Sequence, residues 1–359
     1  MKYCFILGTR PEIIKLYSCI KFCEENNLDY FLIHTNQHYS LNMDSVFFDE
    51  LKLKPAKYNL GINGGNHGEM TGKMMISIEK ILLDEKPDVV FVQGDTNTVL
   101  AGGLVASKLH IPVAHIEAGL RSYDMKMPEE INRIATDHLS TYLFSPTQKQ
   151  KEILLMENIS EQKIFVTGNT IVDAVLRVKN NFQNQAENIL KKYHLEKNNY
   201  ILFTTHRPSN VDNKANLEQI LKGIRKIKNI SLKKILFPIH PRTKNNIEKF
   251  GLTEFLNDFE VIEPVGFIEN VFLENNAYFV ATDSGGIQEE ACILQKKTLI
   301  LRENTERPET LEVGGAVLVG NDFQKILDGF ENLKNKNIHW FNPFGDGKSA
   351  EKIFSYISK

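Results

Sequence analysis

The sequence predicts an α/β protein of two domains, each a parallel β-sheet covered on both faces by helices. Three observations carry this prediction. A chain of 359 residues is long for one typical domain and suits two. Short apolar, β-branched runs alternate with longer amphipathic stretches, and the runs are continuously apolar, as strands buried on both faces must be. The alternation pauses at a mostly polar stretch in mid-chain and then resumes.

In the first half the strand-like runs are Tyr3–Leu7, Tyr30–His34, Val89–Val92, Val113–Ile116, Tyr142–Phe144 and Ile164–Val166, with helical patterns at Ile13–Glu25, Thr71–Asp84, Thr98–Lys108 and Glu129–Leu139. In the second half the runs are Tyr200–Thr204, Lys234–Pro238, Phe259–Ile262, Tyr278–Ala281, Thr298–Leu301 and Ala316–Val319. Thr167–Asn181 marks the crossing between domains, and Phe182–Asn199 reads as a polar surface helix. The expected division is 1–168 and 169–346, with a final helix over about 347–359 returning to the first domain. One very large sheet is the alternative, and it exceeds the usual size of a domain.

A hydrophobic fraction of 42% and a charged fraction of 25% are ordinary for a globular protein. The formal net charge of −2 argues against a nucleic acid or membrane surface as partner, since either needs a broad basic field. A small anionic ligand remains compatible. Cys4, Cys19, Cys23 and Cys292 form neither a CxxC pair nor a zinc spacing, so reduced thiols and a cytoplasmic location are expected. No apolar run reaches the roughly 18–20 residues of a membrane span. The chain opens directly on its first strand, so no signal peptide is expected.

Ligands of open parallel sheets sit beyond the carboxyl ends of the strands, which directs attention to the residues after each run. The first is followed by Gly8-Thr9-Arg10-Pro11-Glu12, where Pro11 suits the first helical position and the helix start offers N–H groups to an anion. Arg10 and Lys15 add charge there. Asp95 follows Val89–Val92, Glu117 follows Val113–Ile116, and Glu129 opens the next helix, so three carboxylates are expected at one sheet edge. Glu117 stands out, because the Ala-Gly after it gives it no helix to cap. Clustered carboxylates raise one another's proton affinity, which suits acid–base work. A salt-bridge network with Arg10, Arg121 and Arg133 is the equally weighted structural alternative.

In the second half, His206-Arg207 and His240-Pro241-Arg242 close successive runs. Asp283-Ser284-Gly285-Gly286 then makes a good pyrophosphate cradle: Asp283 or Ser284 can cap the helix, and the glycine pair permits close backbone approach. Glu290 lies further along, within reach of ribose hydroxyls. A final loop runs Thr305-Glu306-Arg307-Pro308-Glu309. There is no metal-ligand spacing and no G-x-S-x-G elbow, nor a G-x-G-x-x-G or Walker A loop, so neither a metal, a nicotinamide cofactor nor a covalent intermediate is indicated.

Taken in order, Gly8-Thr9-Arg10-Pro11-Glu12-Ile13-Ile14-Lys15, Gly94-Asp95-Thr96, His115-Ile116-Glu117-Ala118-Gly119-Leu120-Arg121, Pro128-Glu129-Glu130-Ile131-Asn132-Arg133, Thr167-Gly168-Asn169-Thr170, Asp283 through Glu290 and Thr305 through Glu309 resemble the non-hydrolysing UDP-N-acetylglucosamine 2-epimerases. The resemblance spans residue 2 to about residue 350. It implies two Rossmann-like domains with parallel sheets facing across a cleft, a GT-B-like architecture, and a homodimer. It implies a UDP-sugar as ligand and no cofactor. The reaction it implies exchanges UDP-N-acetylglucosamine and UDP-N-acetylmannosamine by elimination of UDP, through a 2-acetamidoglucal, followed by re-addition. The residue match makes Asp95, Glu117, Glu129 and His206 catalytic. It assigns Arg10, Lys15, Arg207, His240, Phe267, Ser284, Gly285, Gly286, Glu290 and Arg307 to the UDP-sugar.

Two departures matter. The loop from Arg121 to Glu129 is about two residues shorter than in the common bacterial form. It resembles archaeal members and relatives that epimerise UDP-diacetamido-glucuronic acid, which keeps that substrate open as an alternative; a glycosyltransferase of the same architecture is the more distant one. Many bacterial members bind an activating second substrate through a Gln-His-Arg segment, which here reads Gln37-His38-Tyr39; Gln37 and His38 are the candidates for such a second site.

Overall fold

Continuously apolar strands can satisfy their backbones and bury both faces only in the middle of a layered structure, and two such layers form. The computed structural model describes residues 1–37, 48–337 and 339–358. Residues 1–177 and 344–359 form one unit, and residues 178–343 form the other.

The first unit contains, in chain order, β1 (Lys2–Leu7), α1 (Arg10–Glu25), β2 (Asp29–His34), β3 (Tyr58–Asn59), α2 (His67–Glu85), β4 (Val89–Gln93), α3 (Asn97–Lys108), β5 (Val113–Ile116), α4 (Pro128–Leu139), β6 (Tyr142–Ser145), α5 (Gln148–Met156), β7 (Ile164–Val166) and α6 (Thr170–Asn181), whose last turn enters the second unit. Its sheet has the order β3-β2-β1-β4-β5-β6-β7, with every pairing parallel. The two-residue β3 is too short to show a sequence pattern and was not expected. The core lies between β1, β2, β4 and the apolar faces of α2 and α3, with Ile6, Ile33, Val90, Val92, Met74 and Ile78 buried together.

The second unit continues with α7 (Gln183–Lys192), β8 (Tyr200–Thr204), α8 (Pro208–Val211), α9 (Lys214–Ser231), β9 (Lys234–Pro238), α10 (Pro241–Phe250), β10 (Glu260–Ile262), α11 (Phe267–Asn276), β11 (Phe279–Thr282), α12 (Gly285–Ile293), β12 (Thr298–Ile300), α13 (Glu309–Glu312), β13 (Ala316–Leu318) and α14 (Phe323–Lys334). Its six parallel strands run β10-β9-β8-β11-β12-β13. Phe203, Phe237, Phe279 and Phe330 fill its core.

The two sheets repeat one topology. In each, the strand order reverses beside the first strand, between β1 and β4 and between β8 and β11. Loops diverge to opposite faces at such a reversal and leave a crevice at the carboxyl ends of the strands.

The chain leaves the first unit at Arg177, later than the residue 168 read from the sequence. The reason is local. The Asn169 N–H donates to the Phe344 carbonyl at 2.7 Å, and Asp173 Oδ1 accepts from the Ala350 N–H at 2.9 Å, so the start of α6 is tied to the returning C-terminal segment. The last helix, α15 (Ser349–Ile357), lies in the first unit. Phe354 stacks on Phe22 of α1 with ring centroids 4.6 Å apart and meets Tyr3 edge-on. All four cysteines are buried and unbridged. Among the described residues, no helix is long and apolar enough to cross a membrane.

Candidate active site

In the first unit the polar groups gather beyond β1, β4 and β5, around the reversal point. Glu117 is the residue after β5, and its φ of +71° is left-handed, a conformation that L-residues with a side chain seldom adopt. Its neighbours impose it. The N–H groups of Glu117 and Ala118 both donate to the Phe144 carbonyl at 3.1 Å, which turns the chain sharply off the strand. Glu117 is 7% exposed. Lys15 Nζ, from α1, donates to both of its oxygens at 2.5 and 2.6 Å, and Gln93 Nε2, from the end of β4, donates to Oε2.

Asp95 is two residues beyond β4, next to Gly94, which also has a positive φ of +84°. The Asp95 carboxylate pairs with Arg133 of α4, and Arg133 reaches back to Glu130 at 2.8 Å. Asn132 Nδ2 holds the Asp95 carbonyl at 2.9 Å. Gln93 and Ile116 are register partners in adjacent strands, so Asp95 and Glu117 leave neighbouring strand ends.

Glu129 occupies the exposed first turn of α4, four residues before Arg133 and so on the same helix face. Its neighbour Glu130 is the buried one: it accepts from Ser122 N and Oγ and from Tyr123 N, all at 2.9 Å, and so pins the short loop between Arg121 and Glu129. Nothing in the pair Glu129-Glu130 tells the two roles apart until the helix phase is known. The expected salt-bridge partners also sort differently. Arg133 does pair with Asp95, Glu117 takes Lys15, and the Arg121 side chain is buried against Asp137 and Glu157 at 2.7 and 2.6 Å.

Beneath this edge lies a buried histidine that was not among the expected site residues. His115 directs Nδ1 at Asp137 Oδ1 at 2.7 Å and Nε2 at the Gly94 carbonyl at 2.8 Å. With an acceptor at each nitrogen, the ring is suited to the doubly protonated form. Burial pulls its proton affinity down, yet the Asp137 charge and these hydrogen bonds leave it above the ordinary histidine value.

The turn after β1 works differently from the expected open anion site. Glu12 is buried, and its Oε2 accepts from the Gly8 and Thr9 N–H groups at 2.6 and 2.8 Å, while Thr96 Oγ1 donates to Oε1 at 2.5 Å. Those two N–H groups are therefore spent inside the protein. Burial pushes the Glu12 carboxyl up to about 7, against the pull of its donors. Gly8 is required here by close approach: a Cβ would lie 2.1 Å from Thr35 Oγ1 and 2.4 Å from Thr98 Oγ1. Arg10 stands half-buried at the start of α1. Lys15, assigned to the ligand by the sequence reading, has its ammonium committed to Glu117. Gln37, read as a second-site residue, accepts from Thr98 N and Oγ1 at 3.0 and 2.8 Å and so closes the start of α3. His38 lies outside the described residues.

In the second unit the organiser is Asp283. It is completely buried and accepts from Thr205 Oγ1 at 2.7 Å, His206 N at 3.0 Å, Arg207 N at 2.9 Å and Asn210 Nδ2 at 3.1 Å. The His206 ring joins them, with Nδ1 3.1 Å from Oδ1. Burial works to raise the Asp283 carboxyl, but His206 and the other donors outweigh it and hold it below its ordinary value. The sequence allowed Asp283 or Ser284 to cap α12. Ser284 does so, with its Oγ accepting from Ile287 N at 3.4 Å, and Asp283 is left to fix the loop after β8. His206 is thereby aimed by a carboxylate on Nδ1, while its side chain is 41% exposed.

Arg207 is half-buried beside Arg302 and Arg307, and burial together with the Arg302 charge holds its guanidinium below the usual value. Arg307 packs over the start of α12, with Nη1 3.4 Å from where a Cβ on Gly285 would stand, and pairs with Glu289 at 3.0 Å. Cations and a helix start thus meet at Ser284-Gly285-Gly286, an arrangement suited to phosphate. Two further residues assigned to the ligand also have structural roles. His240 caps α10, with Nδ1 accepting from Arg242 N at 3.2 Å. Phe267 is 1% exposed, and its ring belongs to the core because α11 turns that face inward.

Two Rossmann-like units, each with polar side chains gathered at a strand-order reversal, define an α/β enzyme of the nucleotide-binding kind. The family model for UDP-N-acetylglucosamine 2-epimerase matches residues 21–358. A UDP-N-acetylglucosamine 2-epimerase of Methanocaldococcus jannaschii is 56% identical over 363 aligned residues, covering all of this chain and 99% of that protein. The crystal structure of the Methanocaldococcus jannaschii enzyme in complex with UDP-GlcNAc and UDP has a TM-score of 0.88 over all of this chain and 99% of that one. A UDP-2,3-diacetamido-2,3-dideoxy-D-glucuronate 2-epimerase of Pseudomonas aeruginosa is 39% identical, with 100% of both chains covered. The chain belongs to the UDP-N-acetylglucosamine 2-epimerase family, and its members are isomerases.

Proposed function

We propose that this enzyme interconverts UDP-N-acetylglucosamine and UDP-N-acetylmannosamine without a cofactor, by eliminating UDP and adding it back. The observation that carries the reading is Glu117, whose backbone is left-handed and whose carboxylate is held by Lys15 and Gln93, one strand end away from Asp95. Strained and charge-paired carboxylates of this kind cluster where proton transfer is done.

The C2 proton of the sugar has no adjacent carbonyl to acidify it. As the C1–O bond to UDP lengthens, positive charge develops at C1 and the proton becomes removable. A carboxylate takes it, the C2–H electron pair forms the C1=C2 bond, and UDP leaves with the C1–O pair. Return of a proton to the opposite face of C2 and attack of UDP at C1 complete the exchange. In this reading Glu117 and Asp95 handle the C2 proton, with Glu129 on the same helix face as Arg133. His206, aimed by Asp283, serves the departing phosphate together with Arg207 and the start of α12. Arg10 holds the nucleotide as well, and Glu290 accepts from the ribose hydroxyls.

The test is solvent exchange. Purified enzyme and UDP-N-acetylglucosamine in deuterated water, with nothing else added, should give UDP-N-acetylmannosamine with deuterium at C2 in both sugars. An absence of C2 deuterium rejects the proposal. Turnover of UDP-diacetamido-glucuronic acid in place of the N-acetylglucosamine substrate would transfer the same chemistry to the acidic sugar.

A further inference from the structure

We infer that Glu274, completely buried on α11, holds a proton against Glu290 and thereby fixes the carboxylate that grips the ribose of the nucleotide. The inference rests on the proposed function, which places Glu290 at that ribose.

Glu274 has no exposed surface, and Glu290 has 8%. Asn270 Nδ2 bridges them, 2.5 Å from Glu274 Oε1 and 3.1 Å from Glu290 Oε2. Glu274 Oε2 is buried and meets no hydrogen-bond donor. The two carboxyl groups share the Asn270 amide in a buried site, where two adjacent ionised carboxylates repel and neither can donate to the other. One proton resolves both problems: it gives the pair its donor and removes one buried charge. Burial, and then the Glu290 charge, raises the Glu274 carboxyl well above the usual range, so the proton resides on Glu274. Tyr200 on β8, also close to Glu274, donates its hydroxyl to the Leu273 carbonyl and does not compete. Glu290 Oε1 lies 3.7 Å from where a Cβ on Gly286 would stand, beside the first turn of α12. With the proton on Glu274, Glu290 is the member of the pair left to accept from hydroxyl donors. Glu274 is a positioning residue.

Calorimetric binding of UDP and of 2′-deoxy-UDP to the full-length wild type, E274Q and E274L separates this role from general packing. The wild type is expected to prefer UDP by roughly 10-fold or more, the range of a hydrogen bond to a charged acceptor. E274Q keeps one acceptor for Asn270 and one donor for Glu290, and should hold that ratio within about twofold. E274L should bring the ratio close to one. A wild type that binds no UDP overturns the proposed function and this inference with it. A wild type that prefers UDP, with E274L keeping the same ratio, overturns this inference alone. If E274L does not fold, infrared difference spectra of wild type and E274Q at neutral pH decide: a protonated carboxylic C=O band present in the wild type and absent in E274Q is expected, and identical spectra refute it.

Discussion

Lys15 Nζ lies 2.5 and 2.6 Å from the two carboxylate oxygens of Glu117, although 101 residues separate them in a chain of 359. α1 and the end of β5 meet only because the sheet sets β1, which leads into α1, one strand away from β5, with β4 between them. The pair acts as one unit, and a unit has a kinetic signature.

E117Q should lower turnover of UDP-N-acetylglucosamine by about 10²–10⁴-fold, the contribution of a positioned acid or base. K15M removes a charge-assisted hydrogen bond and should cost about 10–100-fold. The double variant should be no slower than E117Q by more than about twofold, because each change disables the same group. Steady-state kcat for the three variants checks this, and fully multiplicative losses would separate Lys15 from Glu117.

D283N places an amide N–H₂ against the donors of Thr205, His206, Arg207 and Asn210, so at least one buried donor loses its acceptor. The expected loss is about 1–3 kcal/mol, read from the denaturant midpoint. The pH dependence follows from the lowered Asp283 value. A carboxyl that binds its proton less tightly when folded contributes stability above its ordinary 3.8 and loses it as pH falls through the lowered value. D283N should lack that acid-side loss. It should also slow turnover, since His206 is no longer aimed.

Glu12 behaves in the opposite sense. Its carboxyl rises from 4.5 to about 7 on folding, so the folded protein holds this proton more tightly than the unfolded chain. The associated stability is complete below 4.5 and is lost as pH rises to about 7, an effect on the order of 3 kcal/mol. In E12Q the amide oxygen accepts from Gly8 and Thr9 and the amide nitrogen faces Thr96 Oγ1, which can accept. Stability of E12Q should therefore vary less between pH 4.5 and 7 than that of the wild type. Denaturant midpoints measured across that interval check it, and equal slopes would refute the assignment.

Much of this molecule is legible without coordinates. Strands such as Val113–Ile116, Ile164–Val166, Tyr200–Thr204 and Lys234–Pro238 stand at the bounds their apolar runs mark, because strands of a parallel sheet read as mostly apolar runs set off by polar loop residues. The positions of Asp95, Glu117, His206 and Ser284 just beyond such strands follow from the same rule. What the sequence could not supply is the partner of each group. Glu129 and Glu130 are adjacent and chemically alike, and only the phase of α4 decides that Glu130 is buried and Glu129 exposed. The pairing of Lys15 with Glu117 exists only once packing brings α1 to the end of β5. That His240 also caps a helix, and that the Phe267 ring is buried, are known only from the fold. Local order is set by periodicity along the chain, which the sequence carries in full. Ion pairs, shared protons and left-handed backbone at Glu117 depend on contacts between residues tens of positions apart, and those exist only once the two sheets have formed.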